Sequence, residues 1–320
     1  MANLKECRTK LNPVFLRRLE QQFYIHTVDA ILNGFSAEKI PVIRVNTLKN
    51  DTLTVMRYFK EINVLFERIP FLPDSLVVRN KDEKFFEKME IYGGGGIYFQ
   101  GISSQLPALF LGPQADEKVL DVAAAPASKT TQMAIMMKNR GEIFANELNQ
   151  IRFERLKYNL DKQGVKIATS NLGDGTILGE KFPCSFDKVL LDAPCSAEGR
   201  ICINDPRSYR FWSEKNIRQN VKIQKKLIIS GIKALKAGGV LVYSTCTLAP
   251  EENEGVADYA LKTFGQDLKL EKINFDFKYR LPILTSFNGY SFDSTVKYAI
   301  KAMPSQISEG FFVAKFKKTA

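Results

Sequence analysis

Between residues 118 and 247 short apolar runs alternate with longer segments of helical spacing, and no other feature restricts the fold so strongly. KVLDV (118–122), EIFANE (142–147), KIATS (166–170), DKVLLD (187–192) and VLVYST (240–245) read as strands. The helical stretches fall at 131–138, at 151–163 with Ile151, Leu156 and Leu160 as the apolar face, and at 215–236, closed by Gly238 and Gly239. Strands separated by helices cannot pair as hairpins, so the pattern predicts a mostly parallel sheet covered by helices on both faces. Ligands of such sheets sit beyond the carboxyl ends of the strands.

Those ends carry acids and cysteines. The first strand runs into DVAAAPASKT (121–130), whose small side chains let a ligand approach the backbone, while the following helix offers unpaired amides. The Gly-x-x-x-x-Gly-Lys spacing of a phosphate loop is missing. Glu147 closes the second strand, a carboxylate suited to ribose hydroxyls. Asp174 lies in a Gly-Asp-Gly turn after the third, Asp192 and Cys195 follow the fourth in DAPCS, and Cys246 follows the fifth in STCT. An acid at a strand end is commonly a turn former, and a lone cysteine is commonly core filler. Five successive strand ends on one sheet edge bearing such groups point instead to a site.

The rest of the chain supplies the surroundings. Residues 1–35 show helical spacing (Leu11, Phe15, Leu16, Leu19, Phe23) up to a break at Gly34. Residues 42–86 alternate VIRVN, TLTVMRYFKEI, VLFERI and SLVVR, a small α+β unit of a helix packed on strands. The glycine run 93–96 is the clearest punctuation. It gives an N-terminal helical plus small α+β unit over 1–95 and a larger α/β unit over 96–320. With 45% apolar residues in 320, the chain can bury a full core.

Five cysteines, an odd count with no Cys-x-x-Cys pair, speak against a disulfide framework or a zinc site. Cys184 and Cys202 read as packing residues. The single histidine, His26, removes Ser-His-Asp and multi-histidine metal chemistry and is expected to be packed or on the surface. No apolar run reaches the roughly 20 residues of a membrane span, and MANLKECRTK lacks an apolar signal core, so a cytoplasmic protein is expected. Of the net charge of +11, +8 falls after residue 200, and nine basic residues face one acid, Glu214, between Arg207 and Lys236. Such a stretch is either a surface for a polyanion or a solvated helix face.

The segments DVAAAPASKT, ANELNQIRFERLKYNL, FDKVLLDAPCSAEGR and GGVLVYSTCTLAPEENE resemble, in order and spacing, the cytosine-5 RNA methyltransferases of the NOL1/NOP2/Sun family. IRVNTLK, YFQGISSQLPALFL and EGFFVAKFKK are similar too, so the resemblance spans about residues 40–318. It implies an α/β fold, a seven-stranded Rossmann-like methyltransferase sheet with helices on both faces, preceded by a small RNA-recognition-like α+β domain. It further implies S-adenosylmethionine as cofactor and ribosomal or transfer RNA as partner; a monomer with no metal and no membrane association is expected.

By the same resemblance, Ala123, Ala124, Ala125, Pro126, Ala127, Ser128 and Lys129 cradle the methionine end of the cofactor. Glu147 holds the ribose hydroxyls, Asp174 lies at the adenine, and Arg152 supports the same pocket. Asp192 and Pro194 face both methyl donor and target base. Cys246, in the Thr-Cys signature, is implied as nucleophile, with Cys195, in the Pro-Cys signature, promoting release. DNA cytosine-5 methyltransferases attack with the Pro-Cys thiol, so the exchanged assignment is the alternative. One position departs from the family. Ala127 stands where its loop carries glycine, at a cost of about 1 kcal/mol if the backbone there needs positive φ.

A target base must leave its stack to reach a thiol at a sheet edge, which favours single-stranded or splayed RNA. Trp212, among basic residues in SYRFW, either stacks on such a base or packs in the core. Lys129 is either a pocket residue or an exposed residue at a helix start. Two rival functions stand beside RNA cytosine-5 methylation. An amino-directed methyltransferase would want an acidic-or-Asn, Pro-Pro-aromatic motif where this chain has DAPC. A non-catalytic RNA-binding or assembly protein would not need both thiols.

Overall fold

The computed structural model describes residues 4–275 and 279–319. Three helices open the chain: α1 (Leu4–Lys10), α2 (Pro13–Gln22) and α3 (Ile25–Ser36). Pro13 begins α2, where its missing N–H costs nothing, and the Asn12 side chain accepts from Val14 N to cap the helix. The expected break at Gly34 is absent. α3 runs through it, and a Cβ there would stand 2.0 Å from the Pro304 carbonyl oxygen. The glycine therefore permits a close approach, not a turn. Buried Phe15, Leu19, Ile31 and Leu32 of these helices pack with Ile201, Ile203, Leu248 and Leu281, far along the chain.

Next come β1 (Val42–Val45), α4 (Thr52–Glu61), β2 (Phe66–Ile69), β3 (Leu72–Val78), the short helices α5 (Glu83–Glu87) and α6 (Glu90–Gly93), and β4 (Ile97–Phe99). They build an antiparallel sheet in the order β2-β3-β1-β4. β4 follows the glycine run and pairs with β1 through Ile43 and Phe99. Alternation along the strands divides two cores. Ile43, Leu76 and Val78 meet Phe59 and Phe86 of the small unit. Val42 and Val77 join a cluster with Ile102, Leu106 and Met133 of the larger one.

The larger unit continues through α7 (Ile102–Leu111), β5 (Lys118–Asp121), α8 (Ser128–Met136), β6 (Glu142–Glu147), α9 (Gln150–Gln163) and β7 (Ala168–Leu172). It goes on with α10 (Leu178–Lys181), β8 (Phe186–Asp192), α11 (Glu214–Ala234), β9 (Leu235–Thr245), α12 (Glu254–Phe264), β10 (Leu268–Glu271) and β11 (Arg280–Leu281). A small hairpin of β12 (Ser286–Phe287) and β13 (Tyr290–Ser291) precedes β14 (Ile300–Ala302) and β15 (Phe311–Lys318). The main sheet runs β11-β14-β15-β9-β8-β5-β6-β7, with β10 also on β15. β5 to β9 are parallel and β15 is antiparallel.

Nine strands fill this sheet where seven were expected, yet they occupy the expected plan with one addition. β10 and β14 pair with successive parts of β15 and share one position, and β11 extends the edge beyond β14. Helices cover both faces over two apolar clusters. One core assignment fails. Ile151 is 69% exposed, whereas Leu156 and Leu160 are buried. Ile151 lies five residues before Leu156 and so about 140° round the helix from it. Among the described residues no helix is long and apolar enough to cross a membrane.

Candidate active site

A cavity of about 740 Å³ opens beyond the carboxyl ends of β5, β6, β8 and β9. Every residue assigned from the sequence to catalysis or to the cofactor lines it except Ala127, which is buried. Tyr98, Ser104, Glu309 and Phe311 add walls from β4, α7, the segment entering β15 and the start of β15. Sequence spacing gave no sign of these four.

The loop after β5 is bolted in place from several sides. Ala127 caps α8 in the left-handed conformation, φ +86°, so alanine occupies the strained backbone that glycine would adopt freely, at about 1 kcal/mol. Its N–H donates to Ala124 O at 2.8 Å, and Thr131 Oγ1 donates to its carbonyl at 2.8 Å. From α9, Arg152 Nη2 donates to Ala125 O at 2.6 Å and Asn159 Nδ2 to Pro126 O at 2.8 Å. Buried Asn146, which the sequence did not single out, donates to Val122 O (3.0 Å) and Gly173 O (3.1 Å), joining the loops after β5 and β7.

Arg44 of β1 is also buried, and it donates to Gln100 Oε1 (2.6 Å), Ser128 O (2.8 Å) and Thr131 Oγ1 (2.7 Å). The small sheet thereby reaches the start of α8, and burial lowers this guanidinium to about 10. Beneath the loop Asp121 accepts from Thr130 Oγ1 at 2.7 Å, and burial pushes its carboxyl up to about 7.

Glu147 is 3% exposed and accepts from Asn149 N at 2.9 Å through Oε1. Its Oε2 is buried without a hydrogen-bond partner among the described residues, and Arg152 Nη2 stands 3.6 Å away. An orphaned carboxylate oxygen in a cavity wall wants a donor from outside the protein, and the hydroxyls of a ribose match it. Asp174 accepts from Thr176 N at 2.8 Å and caps a single 3-10 turn at the same wall. With the small-residue loop between them, these groups fit an adenosine-type cofactor.

The cavity is also lined by a lysine, a carboxylate and two thiols. Lys129 is buried, not exposed at a helix start. Its Nζ meets Asp192 Oδ2 at 2.6 Å and Ser104 Oγ at 3.1 Å. Ser244 Oγ donates to Asp192 Oδ1 at 2.7 Å, so a cation and a hydroxyl fix both carboxylate oxygens. Cys195 and Cys246 lie beside them, both half-buried, with sulfurs 3.4 Å apart. Contact with the Cys246 sulfur and burial push the Cys195 thiol well above its usual range.

Glu252 is the residue that strand-end reasoning missed, although it lies in the quoted segment GGVLVYSTCTLAPEENE. Fully buried, it accepts from Ser196 N (3.0 Å), Gln224 Nε2 (3.0 Å) and the Ser196 hydroxyl. Ser196 Oγ in turn meets Thr247 Oγ1 at 2.7 Å, and Gln224 Nε2 also donates to Pro194 O at 2.8 Å. One carboxyl thus ties together the residues that follow the two cysteines. Burial pushes it up to about 7.

Other candidates lie apart. Trp212 is half-buried, packed against the Phe15 cluster edge-on to Phe15 at 5.4 Å, with its indole N–H on Glu198 Oε1 at 2.8 Å. His26 is on the surface, stacked on Tyr24. Cys184, expected to pack, is exposed at a left-handed turn, φ +47°. Cys202 is half-buried.

Residues 108–317 match the family of RsmB/F 16S rRNA methyltransferases. The chain is 39% identical over 280 residues to a tRNA (cytosine(49)-C(5))-methyltransferase of Pyrococcus abyssi, covering 87% of this chain and 88% of that one. It is 37% identical over 315 residues to a ribosomal RNA small subunit methyltransferase F of Shewanella oneidensis, covering 97% of this chain but 64% of the relative, less than two thirds of its length. Among solved structures, a methyltransferase homologue of Pyrococcus horikoshii superposes with TM-score 0.84 at 30% identity over 98% of both chains. An NSun6 of Pyrococcus horikoshii, solved with SFG, shares the fold with TM-score 0.80 at 23% identity, covering 98% of this chain and 100% of that one.

Proposed function

The chain belongs to the NOL1/NOP2/Sun family of S-adenosylmethionine-dependent RNA methyltransferases, and from that premise we propose that it methylates carbon 5 of cytosine in transfer or ribosomal RNA through a transient bond to Cys246. The observation that carries this is the meeting of two thiols, 3.4 Å apart, with the Lys129–Asp192 pair in the cavity that Glu147 also lines.

Carbon 5 of cytosine is a weak nucleophile. Addition of the Cys246 thiolate to carbon 6 turns the ring into an enamine whose carbon 5 can take a methyl group. S-adenosylmethionine, the donor of the family, supplies an electrophilic methyl when bound. Asp192, held by Lys129 and Ser244, bonds the edge of the base and stabilises charge developing on the ring. A base then takes the proton from carbon 5, and the Cys246 thiolate leaves. Cys195 promotes that release. Its sulfur, 3.4 Å from that of Cys246, is close enough to give the departing thiolate a proton.

Arg152 and Asn159 keep the loop after β5 in shape, and Glu147 takes the ribose hydroxyls. The test is transfer of labelled methyl from S-adenosylmethionine to transfer and ribosomal RNA fractions, followed by nucleoside analysis. The label is expected in 5-methylcytidine with the wild-type chain and in no nucleoside with Cys246→Ala. Label at an exocyclic nitrogen, or 5-methylcytidine from Cys246→Ala, would overturn the assignment.

A further inference from the structure

The segment that leads from the Cys195 loop to α11 sorts its aromatic residues to two sides. Tyr209 and Trp212 are half-buried against the cluster formed with Phe15. Phe211, between them, is 69% exposed, and the Arg210 guanidinium lies over its ring at 4.4 Å. An exposed phenylalanine by itself means little. This one borders a hollow of about 190 Å³ whose other walls include Arg207, Trp212, Asn216 and Ser196. Ser196 directly follows Cys195, so the hollow adjoins the catalytic wall.

The charge around it is positive. Asp205 pairs with Arg207 at 2.9 Å and Glu214 with Arg18 at 3.4 Å, whereas Arg210, Lys215 and Arg218 form no ion pair among the described residues. An aromatic face, a guanidinium plane and unpaired cations are the elements that hold single-stranded nucleic acid, because every base has a π-face and every link a phosphate. A base drawn out of its stack into the cavity leaves its neighbour without a stacking partner.

We propose that Phe211 and Arg210 form a stacking platform for the nucleotide next to the target cytosine. The platform rests on the proposed reaction and adds a binding subsite to it. Trp212 holds the segment in place through Phe15 and Glu198, while Phe211 is exposed.

The test uses a short single-stranded RNA with one cytosine and the fluorescent base 2-aminopurine either beside it or at the far end. Binding of the full wild-type chain is expected to quench the adjacent probe. Phe211→Ala is expected to lose that quenching and to raise KM for RNA about tenfold, with little change in kcat or in S-adenosylmethionine binding. Phe211→Tyr is expected to restore both, and quenching of the far-end probe is expected to be the same in all three. Wild-type quenching and KM in Phe211→Ala would overturn the platform while leaving the reaction intact. Quenching that depends on Phe211, with no methyl transfer by the wild-type chain, would uphold the platform and overturn the reaction.

Discussion

The sulfurs of Cys195 and Cys246 stand 3.4 Å apart just past the ends of two neighbouring parallel strands, where Asp192 of β8 lies in register with Ser244 of β9. Only one of them can bond to carbon 6 of a base at a time, and the other is then within reach of the same ring. Division of labour between them has a direct signature. Cys195→Ala is expected to form the RNA adduct and fail to release it, so that a protein–RNA band survives denaturing electrophoresis and turnover stops after about one cycle. A Cys195→Ala chain that turns over at the wild-type rate, with no trapped band, would assign release to another group.

Glu147 should control the cofactor with little effect on RNA. Its unpartnered Oε2 is the acceptor that a ribose hydroxyl would satisfy, and a hydrogen bond to a charged acceptor contributes about 1.5–3 kcal/mol. Glu147→Ala is expected to weaken S-adenosylmethionine binding by about tenfold or more in calorimetry. Retention of RNA on filters should be unchanged. Equal losses of both would remove Glu147 from the cofactor wall.

At Ala127 the backbone conformation and the side chain oppose each other. Glycine would relieve the left-handed strain of about 1 kcal/mol but would give up a buried methyl worth a similar amount. Ala127→Gly is therefore expected to hold stability within about 1 kcal/mol and to keep cofactor binding. Ala127→Val places a β-branched residue at φ +86° and is expected to lose cofactor binding. Thermal unfolding and calorimetry on both variants check the pair. A valine variant that binds as well as wild type would mean that the loop tolerates another backbone path.

Two buried carboxyls set a dependence of stability on pH. Asp121 and Glu252 hold their protons up to about 7 in the folded chain, against ordinary values of 3.8 and 4.5. Between those limits the folded state binds more protons than the unfolded one, so their contribution is complete below about pH 4 and is lost as pH rises through about 7. Asp121→Asn and Glu252→Gln, which cannot ionise, are each expected to gain on the wild-type chain by on the order of 2 kcal/mol between about pH 5 and about pH 8. Denaturant midpoints at the two pH values measure this. A constant difference between variant and wild type would place the protons elsewhere.

Alternating strands and helices made the fold class and the strand-end residues legible, because a parallel sheet sends all its carboxyl ends to one edge. Glu147, Asp174, Asp192, Cys195 and Cys246 line one cavity for that reason. Ser104, Arg44 and Phe311 reach the site from distant segments, through packing that no local spacing encodes. Glu252 was hidden by its own burial, since an acid in a run of acids reads as surface. Trp212 and Phe211 are adjacent and chemically alike, and only contact with Phe15 determines which one turns inward. Ile151 and Gly34 failed where one residue of phase, or one neighbouring carbonyl, decided the outcome.

β15 is the last strand along the chain but an interior one in the sheet, lying between β9 and β14. Phe311, at its start, covers Lys129, and the backbone of Gly310 lies so close to Gly199 that a Cβ on Gly199 would come within 1.9 Å of the Gly310 carbonyl oxygen. The slot between β9 and β14 is therefore filled only when residues 311–318 are in place. Closing it forms contacts of long sequence separation, the kind that slows a folding reaction. A chain folded only as far as β14 would hold both thiols but lack the wall that Glu309 and Phe311 supply, so the cavity is completed by a segment distant in sequence from either thiol.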